Sequence, residues 1–109
     1  MENMNGDVRE EGSWVILSIS GRLDRMNADE TGRHGEKLLA ENRKLALDLT
    51  GLEYISSAGL RAMFRLIKQA KAVKKSFALC GVRGFVQDML KDSNMDILVD
   101  VYATTEQLP

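Results

Sequence analysis

The sequence holds one cysteine, Cys80, and one histidine, His34. A lone cysteine cannot close an internal disulfide, which fits a reducing compartment. One Cys and one His cannot furnish a dedicated soft-ligand set, so no metal site is expected. Charge of one sign is also missing: the formal net charge is -1, which gives no support for a nucleic-acid or membrane-surface role. No apolar run approaches the roughly 20 residues of a membrane span, so membrane insertion is not expected. Met1–Glu10 is polar and carries no secretory signal, which points to a cytoplasmic protein. Repeats, linkers and low-complexity segments are absent as well.

What is present is ordinary for a globular protein. The chain has 109 residues, 44% of them hydrophobic and 28% charged, enough for one domain over residues 1–109 with a core of its own. Met1–Gly6 reads as a loose start. Asp7–Glu10 can form a short edge strand, and Glu11-Gly12-Ser13 a turn. Trp14–Ser20 is rich in β-branched and aromatic residues and reads as a strand. Val15, Leu17 and Ile19 share the face assigned to the core; Trp14 and Ile16 share the other, where Trp14 would cover an outer sheet edge or a partner surface. Gly21-Arg22-Leu23-Asp24 leaves this strand as a bend.

A helix capped by Asn27 or Asp29 and running to Glu41 follows. Its pattern is weak, because Gly32 and Gly35 each cost roughly 1 kcal/mol against alanine, so irregularity is expected in its first half. Lys44–Leu49 is a short buried strand closed by Thr50 and Gly51. The segment Ser57–Lys74 carries an apolar stripe at Leu60, Met63, Phe64, Ile67 and Ala70, the spacing of an amphipathic helix. Ser76–Val82 reads as a strand, and Phe85–Asp92 as a helix with Phe85, Val86, Met89 and Leu90 inward. Asp96–Tyr102 reads as a last strand, and Thr104–Leu108 begins a terminal helical turn. Strands alternating with helices imply βαβ units. The expected α/β fold is a mixed, mostly parallel sheet of four to five strands flanked by three to four helices, with the early hairpin as an antiparallel edge.

Ser56 and Ser57 stand where the strongest helix begins. Hydroxyl side chains are favoured there because they accept bonds from the free N–H groups of the first turn. The same place tolerates added negative charge, so a serine here can also accept a phosphate. Cap and switch are both open readings of the residues alone. Asp24, at the exit of the early strand, should reach the same end of a parallel sheet as Ser57, and Asn27 borders that surface. Gly59 in the first helical turn permits a close backbone approach. Arg61, four residues beyond Ser57, can pair with a phosphate; with Arg65 and Lys68 it otherwise forms a solvated face, or meets an acidic partner. Catalysis by Ser57 would need a base and an orienting acid, His34 is the only histidine, and no Gly-x-Ser-x-Gly elbow surrounds Ser57, so an enzyme is not expected. Cys80 reads as a small core residue and the methionines as packing. Gly81-Val82-Arg83-Gly84 lacks the spacing of a phosphate-binding loop, so no nucleotide or other cofactor is expected.

The sequence resembles the STAS domains of bacterial anti-sigma factor antagonists, the sporulation and general-stress regulators. The likeness is carried by Asp48-Leu49-Thr50 with Tyr54-Ile55-Ser56-Ser57-Ala58-Gly59-Leu60 and by Gly21-Arg22-Leu23-Asp24. Ala78-Leu79-Cys80-Gly81 and Asp100-Val101-Tyr102 with Thr104-Thr105-Glu106 extend it over nearly the whole chain. The resemblance implies a STAS-like single domain whose serine is phosphorylated by an anti-sigma factor that is itself a serine kinase. The unphosphorylated antagonist binds that kinase and frees a sigma factor; a metal-dependent serine/threonine phosphatase resets it. Ser57 matches the acceptor, and Ser56 is a second candidate. Asp24 matches an aspartate that positions the acceptor, and Asn27, Ser56, Ala58, Gly59 and Arg61 make up the surroundings. Ser56 stands where many relatives have aspartate. The resemblance also allows a non-switching STAS subunit of a lipid-transport or stress-sensing complex.

Overall fold

Two strands that the sequence pattern leaves as a bend and a turn set the geometry of this protein. The computed structural model describes residues 7–109; the loose start expected over residues 1–6 lies outside them. The main sheet has five strands: β1 (Asp7–Glu11), β2 (Trp14–Ser18), β4 (Lys44–Asp48), β6 (Ser76–Cys80) and β7 (Asp100–Tyr102), side by side in that order. The β1–β2 hairpin is antiparallel, and β2–β4, β4–β6 and β6–β7 are parallel. Between these strands run α1 (Ala28–Glu41), α2 (Ser57–Ala72), α3 (Gly84–Asp92) and α4 (Met95–Leu98), and a 3-10 turn at Thr105–Gln107 ends the order. The second sheet pairs β3 (Gly21–Leu23) with β5 (Leu52–Ile55), in parallel.

The two faces expected of β2 are present, and both are buried. Val15, Leu17 and Ile19 join Leu45, Leu47, Leu49 and Leu79 in the main core under the helices, while Trp14 and Ile16 join Ala46, Ala78 and Cys80 on the other face. Strand β4 is likewise buried on both faces, as in any central parallel strand. Trp14 is covered from within the chain by Leu108 and Pro109: its Nε1 donates to the Pro109 carbonyl at 2.9 Å, and Leu108 packs against the same cluster. Arg9 of the edge strand donates to Ser18 at 2.9 Å, Asp48 at 3.2 Å and Thr105 at 3.5 Å, which holds the 3-10 turn to this face.

Helix α1 is continuous despite its glycines. A Cβ on Gly35 would lie 2.8 Å from Leu66 Cδ1, so the residue that weakens the helix is the one that lets α2 approach it. Helix α2 buries Ala62, Met63, Leu66, Ile67 and Ala70. The stripe expected through Phe64 is therefore rotated: Leu60 is half-buried and Phe64 is 40% exposed, with Lys68 Nζ 5.4 Å from its ring centroid. In α3 Val86 and Leu90 point inward, Met89 is partly buried, and Phe85 is 46% exposed.

The last strand is shorter than expected. Asn94 takes a left-handed conformation (φ 62) and restarts the helix as α4, so Met95 is buried and Ile97 is 76% exposed; strand pairing begins only at Asp100.

Candidate functional site

β3 and β5 position everything that follows. Gly21 N donates to Gly51 O at 2.9 Å, which brings the chain leaving β2 alongside the chain leaving β4. Leu23 then pairs with Ile55, and Ser56 N donates to Leu23 O at 2.9 Å. Leu23, Leu52 and Ile55 are buried and anchor the pair in the core. Asp24 and Ser56 thus leave adjacent strand ends together. Only three and four residues long, these strands carry too little pattern to be seen in the sequence.

The approach of α2 to β3 requires Gly59. A Cβ there would lie 2.7 Å from Leu23 O and 2.8 Å from Ile55 Cγ1, so the packing role expected of this glycine is the one it has.

The structure separates the two serines. Ser56 is the N-cap: its backbone is extended (φ -98, ψ 178), its carbonyl accepts the first helical bond from Leu60 N at 2.9 Å, and its Oγ accepts from Gly59 N at 3.4 Å. Ser57 is the first helical residue and is exposed. Among the described residues its hydroxyl has no hydrogen-bond partner. One serine does the capping and the other is free.

Asp24, Ser56, Ser57, Ala58 and Arg61 line one open depression of about 490 Å³. Gly59 is buried and is not among the lining residues. Asp24 is fixed by local bonds: Met26 N donates to its Oδ1 at 3.0 Å, and its Oδ2 lies 3.5 Å from Arg22 Nε. Asn27 occupies the N-cap position of α1, but its side chain turns back. Its Oδ1 accepts from Asp24 N at 2.9 Å and its Nδ2 donates to Arg22 O at 2.9 Å. Asn27 therefore braces the Asp24 loop and does not cap its own helix, contrary to the expectation from its residue type.

Four more residues line the depression, Arg22, Arg25, Met26 and Tyr54; the sequence places Arg22 and Tyr54 in the family motifs without a site role, and Met26, read there as packing, is 83% exposed. Arg22 and Tyr54 face each other in the β3–β5 register, with the guanidinium carbon 4.2 Å from the ring centroid. Tyr54 in turn stacks on Phe85, with centroids 5.3 Å apart and planes at 4°. Phe85 is outside the core because it completes this stack. Recognising that Gly21–Leu23 and Leu52–Ile55 pair would have placed Arg22 opposite Tyr54. Arg65, expected on a solvated face, makes an ion pair with Glu36 at 3.4 Å.

No metal chemistry gathers here: among the described residues no three His, Cys, Asp or Glu side chains are placed to hold an ion. Cys80 is buried, and burial beside the Asp48 carboxylate pushes its thiol up to about 11, far from a working nucleophile. Among the same residues no helix is long and apolar enough to cross a membrane.

Residues 5–108 match the model of the STAS domain family. BtrV of Bordetella bronchiseptica, a candidate anti-sigma factor antagonist, is 39% identical over 80 residues, which are 72% of this chain and 69% of that protein. The crystal structure of a candidate anti-sigma factor antagonist from Thermotoga maritima superposes with a TM-score of 0.86 at 24% identity, over 94% of this chain and 89% of that one. The anti-sigma factor antagonist SpoIIAA in its unphosphorylated form superposes with a TM-score of 0.71 at 12% identity, over 93% and 90%.

Proposed function

The chain belongs to the STAS domain family as one of its anti-sigma factor antagonists, and on that premise we propose that it works as a phosphorylation-dependent binding switch. In the unphosphorylated form it binds an anti-sigma factor that is also a serine kinase, and so releases a sigma factor. Ser57 is the acceptor, a metal-dependent serine/threonine phosphatase restores it, and the protein itself is a cytoplasmic regulator and not a catalyst.

The observation that carries this reading is the division of labour between the serines. Ser56 satisfies the helix start, which leaves the exposed Ser57 hydroxyl available in a depression bordered by Asp24 and Arg61. Ser57 can therefore be modified without removing the cap. A phosphate brings about -1.5 to -2 charges and three acceptor oxygens. At the first turn of α2 the free N–H groups and the helix dipole favour it by roughly 0.3–2 kcal/mol, so the fold survives. Binding does not. In an interface the new charge must be desolvated or meet a like charge, at a cost of several kcal/mol, and about 3 kcal/mol is already a hundredfold in affinity.

The direct test is the affinity of the Ser57→Asp variant for an anti-sigma factor kinase that binds the wild-type protein, measured against wild type by calorimetry. A loss of about a hundredfold is expected. Equal affinities would remove Ser57 from the switch and favour the non-switching interaction subunit of a lipid-transport or stress-sensing complex.

A further inference from the structure

Three arginines reach the Ser57 depression from three parts of the chain. Arg22 lies in β3, Arg25 in the loop before α1, and Arg61 one turn into α2. Asp24 is the one carboxylate among the lining residues, so three guanidiniums face a single negative charge in a chain whose net charge is -1. Positive charge is concentrated at this place.

The arginines are also arranged to be used. Arg22 is held over the Tyr54 ring at 4.2 Å, and that ring is backed by Phe85 at 5.3 Å, so the guanidinium gives up little freedom when it engages an anion. Arg61 stands four residues after Ser57, one helical turn along the same face. Arg25 and Arg61 are exposed, and among the described residues neither makes an ion pair.

We infer that Arg22, Arg25 and Arg61 form a collar that takes up the phosphate when Ser57 carries one. The surplus of positive charge in the lining matches the roughly -1.5 to -2 charges of a phosphoserine, and guanidinium is the side-chain group best fitted to phosphate oxygens. The same three cations are what an acidic partner face would meet on the unphosphorylated protein. The modification therefore withdraws the docking charges as well as adding one of its own. This rests on the reading of Ser57 as the acceptor, but its test needs no kinase.

The protein is prepared with phosphoserine incorporated biosynthetically at position 57, and the phosphorus resonance is followed through a pH titration. Free phosphoserine loses its second proton near pH 6. In the intact protein the midpoint is expected lower by about half a pH unit or more, because nearby cations favour the dianion. Arg25→Gln and Arg61→Gln, singly and together, should move it back upward, and Arg43→Gln, at the far end of α1, should not. A lowered midpoint that none of the collar variants changes would assign the effect to the helix start and overturn the collar. A wild-type midpoint near pH 6 would overturn it as well. If the collar titrates as expected but no kinase modifies Ser57, the proposed function fails and the collar stands.

Discussion

The Ser56 amide donates to the Leu23 carbonyl at 2.9 Å, and that bond ties the end of β3 to the start of α2. It brings two loops from separate parallel strands to one point. Asp24 follows one partner and Ser57 follows the other, so the candidate site is a consequence of how the two short strands pair.

Gly59 makes that closeness possible, and Gly59→Ala should break it. Its new Cβ would meet backbone oxygen at 2.7 Å and the buried Ile55 side chain at 2.8 Å, neither of which can retreat cheaply. A loss of about 1–3 kcal/mol is expected in urea unfolding. A variant as stable as wild type would show that β3 and α2 are not in contact there.

The serines should separate by stability. Ser56→Ala removes the cap, and with a bond of 3.4 Å the loss should sit near the low end of the usual range, about 0.5–1 kcal/mol. Ser57→Ala should lie within about 0.5 kcal/mol of wild type. Thermal unfolding of the two side by side checks the assignment, and the reverse order would exchange their roles.

Gly35→Ala tests the α1–α2 approach through its sign. At an open helix position the change stabilises by roughly 1 kcal/mol. Here the methyl would lie 2.8 Å from a terminal carbon of Leu66, which is itself buried, so a net loss is expected. In a Leu66→Ala background the space exists and the same substitution should stabilise. Stabilisation in both backgrounds would contradict the packing.

The acid limb of stability should involve Asp48. Burial pushes its carboxyl up, but the Thr50 hydroxyl and amide and the Arg9 guanidinium outweigh this and hold it below the usual range. A group lowered on folding contributes stability that is full above its unfolded value, about 3.9, and is lost as pH falls through the folded value. The pair with Arg9 is partly exposed and adds little. Asp48→Asn should therefore cost about 1 kcal/mol at neutral pH, with the gap closing below about pH 4. A gap that is the same in urea titrations at about pH 7 and about pH 3 would contradict it.

Long periodic segments were legible in the sequence, and short paired ones were not. β2 is rich in β-branched and aromatic residues, and α2 repeats at three and four, so the mixed parallel sheet and the helix that opens at Ser57 followed directly. The resemblance carried by Ser56–Gly59 and Gly21–Asp24 pointed to the same family that residues 5–108 match. The β3–β5 pair was hidden because each strand is stabilised by its distant partner and not by its own pattern. Arg22 and Tyr54, which meet only through that pairing, were hidden with it. Phe64 and Phe85 fit the apolar spacing of a core face, but both are exposed: one lies near Lys68 and the other completes a surface stack. Trp14 was placed on the correct face, but only the folded chain shows Pro109 returning to cover it.

Phosphate mapping tests the central claim most directly. Wild-type protein, Ser56→Ala and Ser57→Ala are each incubated with an anti-sigma factor kinase that binds the wild-type protein and with ATP, and the products are mapped by mass spectrometry. One phosphate on Ser57 in wild type and in Ser56→Ala, and none in Ser57→Ala, is the expected result. Phosphate on Ser56 or elsewhere, or binding of the kinase with no transfer at all, would contradict it.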